Sequence, residues 1–217
     1  PKSKNKNPNS ISHISAPLFR GQASTAWKLE TTLERFGKQN FEMQEYYRII
    51  RSVMPAVTSL IEKTWALGEY TSDEEGKYKP PPGYEFMVYL RHHGFPSPLL
   101  DWTRSPYVAA FFAFRAKQNP EDENVAVYSY VEWCGTGKTI RDSQAFLVGL
   151  GSYFTTHRRH FSQQCEYTIC KKCIDQNYVY CPHEEAFQRN TEGQDQLIKF
   201  VLPKSERAKV LEKLNIM

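Results

Sequence analysis

The order of the secondary-structure patterns along the chain constrains its fold most strongly. Three runs rich in β-branched and aromatic residues, which are typical of strands, lie at 124–133, 163–172 and 196–203. A shorter strand is predicted near 18–22. Helix-like patterns come mainly first and strand-like runs mainly later, which is typical of α+β proteins. We therefore predict an α+β domain whose helical N-terminal half packs on a mixed or split β-sheet.

Apolar spacing predicts three helices in the first half of the chain. Apolar residues recur at helical intervals over 41–54, and Pro55 is expected to kink or end that helix. A second helix is predicted over 56–70. A third, over 84–94, is expected to close at Gly94, because glycine readily adopts the left-handed conformation that follows many helix ends.

Two further helices are predicted later in the chain. The segment 95–104 starts extended, because its two prolines disfavour helical geometry in the residues before them. Ser105 can cap a helix, and Pro106 can be its first residue, since that position needs no N–H donor. The segment 204–216 predicts a C-terminal helix.

Size and composition limit the class of protein. With 217 residues, 40% of them hydrophobic, the chain can bury a core as one large domain. The polar, basic residues 1–15 predict a flexible lead-in, and 16–217 a single domain. No run of about twenty apolar residues is present, so no membrane partner is expected. The net charge of +4 is compatible with an anionic ligand or a nucleic acid and requires neither.

Five cysteines, an odd number that clusters late in the chain, predict a reducing compartment, so a cytoplasmic location is expected. Cys170 and Cys173 form a C-x-x-C pair, and Cys181 and His183 follow. These four ligands could close a tetrahedral, structural zinc site that leaves no position for water. The alternative is free thiols on a strand pair and its loop.

Several short motifs are spread over nearly the whole chain. A Phe-Arg-Gly run stands at 19–21, and a Leu-Leu-Asp-Trp-Thr run stands at 99–103. Together with several other positions, these two runs resemble the FRG domain, a bacterial family named for its Phe-Arg-Gly run. The further matching positions are Gln22, Leu33, Arg35, His92, Gly94, Pro96, the helix 109–114 and the tail 197–216.

Three parts of the sequence also occur in a particular order: Arg20–Gly21, then 101–105, then Gln164–Cys165–Glu166. This order is similar to that of mono-ADP-ribosyltransferases of the Arg-Ser-Glu type, although a true Ser-Thr-Ser motif is absent. The resemblance implies an ADP-ribosyltransferase-like fold. It also implies NAD as the substrate, with cleavage of the nicotinamide–ribose bond and transfer to a protein, a nucleic acid or water.

The same resemblance implies residue roles. A guanidinium fork such as Arg20 can clamp the NAD diphosphate, and Gly21 would let the main chain approach the nicotinamide amide. Glu166 could stabilise the oxocarbenium charge that develops on the ribose, and Gln164 could position an acceptor. The other residues expected to line the NAD cleft are Gln22, His92, Asp101, Thr103 and Ser105.

Other interpretations of these residues stay open. Arg20 and Asp101 could form a structural ion pair. His92 could be a packed histidine, and Glu166 an ordinary strand carboxylate. A nucleic-acid-processing domain could instead hold a divalent metal on His92, Asp101 and Glu166. A non-catalytic interaction or sensor module of a bacterial toxin or anti-phage defence system is a further possibility.

Overall fold

The structure is a computed structural model of the chain. Residues 1–14, which make up nearly all of the expected lead-in, lie outside the part that it describes. The described ranges are 15–68, 80–116, 121–133, 144–151, 163–187 and 195–215.

One eight-stranded sheet forms the centre of the described chain. The strands run in the order β2-β7-β6-β3-β1-β4-β8, and β5 also pairs with β6. Every pairing is antiparallel, so the expectation of a mixed sheet is wrong, whereas the α+β class is confirmed. The strands are β1 Leu18–Gln22, β2 Phe41–Glu42, β3 Leu100–Thr103, β4 Asn124–Val131, β5 Phe146–Gly149, β6 Cys165–Ile174, β7 Asn177–Tyr180 and β8 Gln196–Pro203.

Five α-helices surround the sheet in the described ranges. The N-terminal half is only partly helical, because β1, β2 and β3 also lie there. Ser105 caps α4 by accepting a hydrogen bond from the backbone N–H of Val108, and Pro106 is the first helical residue, as predicted. The helices are α1 Thr32–Arg35, α2 Met43–Ile61, α3 Tyr84–His92, α4 Pro106–Arg115 and α5 Arg207–Asn215, with 3₁₀ helices at His183–Phe187 and Lys204–Glu206.

The sequence predicts that Pro55 kinks or ends the helix. Helix α2 continues through Pro55, so it does not end there. Pro55 and Arg51 both face solvent. Water can therefore reach the Arg51 carbonyl, which would otherwise accept the N–H that proline lacks. The buried side of the helix, with Tyr46, Tyr47 and Ile50, holds it against the core. None of α2 to α5 is long and apolar enough to cross a membrane, and the same holds for the rest of the described chain.

Two apolar clusters lie on opposite faces of the sheet. Alternation along β6 separates them, because Tyr167 and Ile169 belong to the cluster under α2 and α3, whereas Cys170 belongs to the other. That second cluster contains Trp102 and Tyr130 and packs against the 3₁₀ helix at His183–Phe187. The sheet is thus covered on both sides near its middle strands.

Strands β1 and β3 are neighbours that barely pair. Five residue pairs join β1 to β4, but Phe19 opposite Thr103 is the single pair between β1 and β3. The two strands therefore part beyond Phe19, where Arg20 and Gly21 follow. This local separation within the single sheet positions the candidate site.

Candidate functional site

A cavity of about 660 Å³ opens where β1 and β3 separate. Residues from α1, α3, α4, β1, β3 and β6 form its walls. Six of the residues expected to line an NAD cleft are present: Arg20, Gly21, Gln22, His92, Asp101 and Thr103. Residues that the sequence analysis did not assign to the cleft complete the wall, namely Phe19, Ala23, Trp27, Thr32, Arg35, Arg91, Trp102, Ala109, Phe112, Ala116, Gln163, Cys165 and Tyr167.

Asp101 is held chiefly by Arg91. The Nε of Arg91 donates to Oδ1 of Asp101 at 2.6 Å, and Nη2 donates to Oδ2 of the same carboxylate. The third nitrogen, Nη1, donates to Oγ1 of Thr32 at 3.1 Å. This bidentate pair fixes Asp101 in the cavity wall. Sequence reasoning missed Arg91, although it directly precedes His92 in a run that had already been singled out.

The charge of Asp101 is secured by its neighbours. Burial alone would raise the pKa of this carboxyl, but the guanidinium of Arg91 outweighs burial through its charge and hydrogen bonds. Arg20 and His92 act in the same direction, so the pKa of Asp101 lies below its usual range. The cavity therefore contains an ionised carboxylate at neutral pH.

Arg20 reaches into the gap between the parted strands. Its Nη1 donates to the backbone oxygen of Asp101 at 2.7 Å and lies 4.0 Å from Oδ2. Its Nε is buried and has no hydrogen-bond partner among the described residues. The structural ion pair with Asp101 is therefore a long contact, and the backbone bond is the closer one. Part of the donor capacity of Arg20 remains available for a ligand.

Three guanidinium groups meet at this cavity. Burial lowers the pKa of Arg20 to about 10, against the opposing effect of Asp101, and the positive charges of Arg91 and Arg35 lower it further. Arg35 is exposed, and its Nη2 donates a long hydrogen bond, 3.4 Å, to the backbone oxygen of Glu30. Among the described lining residues, three arginines face one carboxylate. The cavity is therefore positively charged and suits an anion.

The register of β6 decides which of its side chains face the cavity. Asp101 lies opposite Tyr167, and Trp102 lies opposite Glu166. Directly opposed residues share a face of an antiparallel sheet, so Tyr167 and Cys165 line the cavity. Glu166 points to the other face, where it pairs with Arg104. The structure therefore does not bring Glu166 to Arg20 and Asp101.

Gln164 also lies outside the cavity lining. It precedes β6 with a φ of 48°, in the left-handed region, so strand alternation does not extend back to it. Neither Gln164 nor Glu166 therefore lines the cavity. Tyr167, one residue after Glu166, is in the wall instead, because strand alternation places it on the face of Asp101.

Gly21 and Ser105 both have structural roles, and only the helix cap at Ser105 was predicted from the sequence. A Cβ on Gly21 would lie 1.9 Å from the backbone oxygen of Ala109, so Gly21 lets α4 pack directly on β1. That close approach is to a helix and not to a ligand. Ser105 caps α4 and is not among the lining residues.

Thr103 and Gln22 each combine a structural bond with a place in the wall. Thr103 Oγ1 donates to the backbone oxygen of Gln163 at 2.7 Å and accepts from the Ser105 N–H, so it ties β3 to α4 and to the start of β6. Gln22 Nε2 donates to the backbone oxygen of Lys28 at 3.0 Å. Its buried Oε1 has no hydrogen-bond partner among the described residues.

His92 shares a hydrogen bond with Tyr167 inside the cavity. The distance from Nε2 to the tyrosine hydroxyl is 3.0 Å. His92 therefore has a side-chain partner, in contrast to the packed histidine on a backbone carbonyl that the sequence left open. Burial raises the pKa of Tyr167, so its hydroxyl keeps its proton at neutral pH.

The expected zinc ligands are only partly together. Cys170 Sγ lies 3.4 Å from Cys181 Sγ, and both thiols are buried. Cys173, three residues along β6, points to the opposite face from Cys170. His183 Nε2 shares a 2.9 Å hydrogen bond with Thr168 Oγ1. Among described residues, no three His, Cys, Asp or Glu side chains are arranged to hold a metal, and the zinc site stays a prediction.

The ligands of the metal site suggested for a nucleic-acid-processing domain also lie on different faces of the sheet. His92 and Asp101 both line the cavity, but Glu166 faces the other side of the sheet. These three side chains therefore do not form one site.

Comparison with known proteins identifies a family. Residues 15–122 match the FRG domain, a segment that contains both the run at 19–21 and the run at 99–103. No curated protein and no solved structure matches the chain. The resemblance to the FRG family is thus confirmed over these residues, and the similarity to ADP-ribosyltransferases stays a prediction.

Proposed function

We propose that this chain, whose residues 15–122 match the FRG domain, is an NAD-dependent, ADP-ribosyltransferase-like protein that cleaves the nicotinamide–ribose bond. The carrying observation is the convergence of Arg20, Arg35 and Arg91 on a cavity with a single carboxylate. Guanidinium forks match the oxygens of phosphate groups through paired hydrogen bonds. A diphosphate is the anion that two adjacent arginines suit best, because Arg91 is already occupied by Asp101.

Aromatic side chains beside the arginines support a ligand that carries rings. Trp27 is 49% exposed and Phe112 is 42% exposed, and both line the cavity together with Phe19. Exposed aromatic faces can stack on flat heterocycles such as adenine or nicotinamide. A dinucleotide with two bases and a central diphosphate combines both requirements.

Asp101 is the carboxylate positioned to assist cleavage. When the bond between ribose C1′ and the nicotinamide nitrogen breaks, its electron pair leaves with nicotinamide, and positive charge develops on the ribose. Asp101 faces the cavity and is ionised, so it can stabilise that charge electrostatically. We therefore assign to Asp101 the role that the resemblance gave to Glu166.

NAD binding can be tested with a pair of matched variants. Arg35→Ala removes an exposed guanidinium from the cavity wall, and we expect NAD to bind roughly 10- to 100-fold more weakly, as for loss of a charge-assisted hydrogen bond. Arg48→Ala is the control, because Arg48 is 76% exposed on α2 and pairs with Glu45. Titration calorimetry with NAD should separate the two. Equal affinities would contradict binding in this cavity.

Cleavage can be tested with NAD labelled in the nicotinamide ring. We expect wild-type protein to release labelled nicotinamide, and Asp101→Asn to release it far more slowly at similar NAD occupancy. Consumption of NAD would harm a host cell, which suits a bacterial toxin or anti-phage defence protein. Wild-type protein that neither binds nor cleaves NAD, with protein, nucleic acid or water as acceptor, would favour a non-catalytic interaction module.

A further inference from the structure

We infer that Tyr167 and His92 form a proton relay that activates the acceptor, and that this acceptor is water or another hydroxyl group. The inference rests on the proposed function, since it assigns the second half of the same reaction. It follows from a gap in the site. Gln164, which the resemblance placed beside the acceptor, lies outside the cavity lining.

The cavity offers few groups that could take a proton from an acceptor. Asp101 is engaged by Arg91 through both carboxylate oxygens. Cys165 lines the wall as a thiol, because burial and the charge of Asp101 raise its pKa to about 12. Among the described lining residues, His92 is the one side chain whose ordinary titration lies near neutral pH.

Tyr167 connects the cavity to His92. The hydroxyl lies 3.0 Å from Nε2 of His92, within hydrogen-bond reach. The tyrosine ring is fixed by an edge-on contact with Tyr84, at 6.3 Å between ring centroids. The hydroxyl is thereby held beside the histidine, and both residues belong to the cavity wall.

The proton of the acceptor and the leaving nicotinamide each have a defined path. As the acceptor oxygen bonds to ribose C1′, the acceptor O–H proton moves to Oη of Tyr167, and Tyr167 passes its own proton to Nε2 of His92. Nicotinamide departs with the electron pair of the broken C1′–N bond. The imidazolium that results is stabilised by the nearby negative charge of Asp101, because the two groups attract each other.

The charged and titratable surroundings of the relay come from several elements. Arg91 on α3, Arg20 on β1 and Asp101 on β3 are the charged groups near Tyr167 or His92. Cys165 on β6 and Tyr84 on α3 are titratable but remain neutral near pH 7, because burial raises the pKa of each. His92 is therefore the base to which the relay leads.

The pH dependence of nicotinamide release by the full chain tests the relay. For wild-type protein at saturating NAD, we expect the rate to fall as the pH drops through about 6.5, where histidine becomes protonated. Tyr167→Phe keeps the ring packing, and His92→Gln keeps a polar side chain. Each should lower the rate by at least about 100-fold and abolish the acid limb, with NAD affinity changed less than about 3-fold.

His93→Gln is the matched control, because His93 follows His92 directly but packs against Tyr89 and is absent from the cavity lining. It should keep both rate and pH profile. If wild-type protein cleaves NAD and the two relay variants match it, the relay is overturned and the proposed function stands. If the variants lose NAD binding together with activity, the residues are ligand contacts and the relay is overturned. Failure of wild-type protein to cleave NAD overturns both proposals.

Discussion

The two faces of the sheet handle buried polar groups in opposite ways. Around the cavity, Arg91 and Asp101 on one face, and Arg20 in the gap between β1 and β3, are charged and lie at an opening. On the other face, a buried cluster of Trp102, Thr168 and His183 is at most 2% exposed and contains neutral groups, and of these three only Trp102 also touches the cavity wall.

Hydrogen bonds join the polar groups of this cluster, and burial keeps it neutral. Trp102 Nε1 donates to Thr168 Oγ1 at 2.8 Å, and that hydroxyl shares a 2.9 Å bond with His183. Burial, with a smaller effect from Arg20, lowers the pKa of His183 to about 3, so the ring is uncharged at neutral pH. A buried charge needs a counter-charge or solvent, whereas a buried neutral group needs hydrogen bonds. Polarity inside a sheet therefore indicates a ligand site only where charge and an opening occur together.

The largest expected effect is that of Gly21→Ala, which disturbs β1 beneath both regions. The new Cβ would lie 1.9 Å from a backbone oxygen of α4 and 2.7 Å from a backbone nitrogen. Backbone cannot move aside as a flexible side chain can, so we expect a loss of about 3 kcal/mol or more in the free energy of unfolding. Chemical denaturation measures it.

Gly94→Ala is the matched control. Gly94 has a φ of 83° but open space around it, so alanine there should cost about 1–2 kcal/mol from backbone strain alone. A loss at Gly21 no larger than the loss at Gly94 would contradict direct packing of α4 on β1.

Thr168→Val should lower the stability of the protein without changing NAD binding in the cavity. The change keeps the shape of the side chain but leaves Trp102 Nε1 and His183 Nε2 without their shared partner. We expect a loss of about 2–4 kcal/mol in the free energy of unfolding, from about 1–3 kcal/mol for each unsatisfied group. NAD affinity should stay the same, since Thr168 is absent from the cavity lining. A change in NAD affinity without a change in the free energy of unfolding would contradict the distinction between the cavity and the buried cluster.

Acid should weaken the two faces in different pH windows. The pKa of His183 is lowered on folding, to about 3, so the unfolded chain binds the extra proton first. Stability from His183 is therefore complete above about pH 6.5 and falls toward pH 3, by up to about 1.4 kcal/mol per pH unit.

Asp101 also has a lowered pKa, and its stabilisation is complete above its unfolded value of about 3.9 and is lost as the pH falls below it. His183→Gln should flatten the dependence of the unfolding free energy on pH between about pH 6.5 and 3 and leave the part below about pH 3 unchanged. An unaltered slope between pH 6 and 4 would contradict a neutral His183.

The smallest effect is expected from Glu166→Gln. Its partner Arg104 has a side chain that is 58% exposed, and such pairs contribute at most about 1 kcal/mol. Because Glu166 lies behind the sheet, we expect NAD affinity and nicotinamide release to stay within about 2-fold of wild type. A rate loss as large as that of Asp101→Asn would restore the role that the resemblance gave to Glu166.

Local patterns in the sequence predicted much of the fold. The strands near 18–22, 124–133, 163–172 and 196–203 and the cap formed by Ser105 are all present. These features depend on side-chain alternation and capping within a few neighbouring residues, which a sequence shows directly. The helix end expected at Pro55 is absent for a non-local reason. The cost of a proline inside a helix depends on whether water can reach one carbonyl, and that is a property of the folded surface.

The sequence by itself determined the FRG match, the α+β class and the set of polar residues from which a site could be built. The tertiary structure alone decided which of them meet. Arg91 joins Asp101 because α3 packs over β3, and Tyr167 replaces Glu166 in the cavity because pairing with β3 sets the phase of β6. A shift of one residue along a strand moves every side chain to the other face, and that phase is set by the neighbouring strand rather than by the strand's own residues.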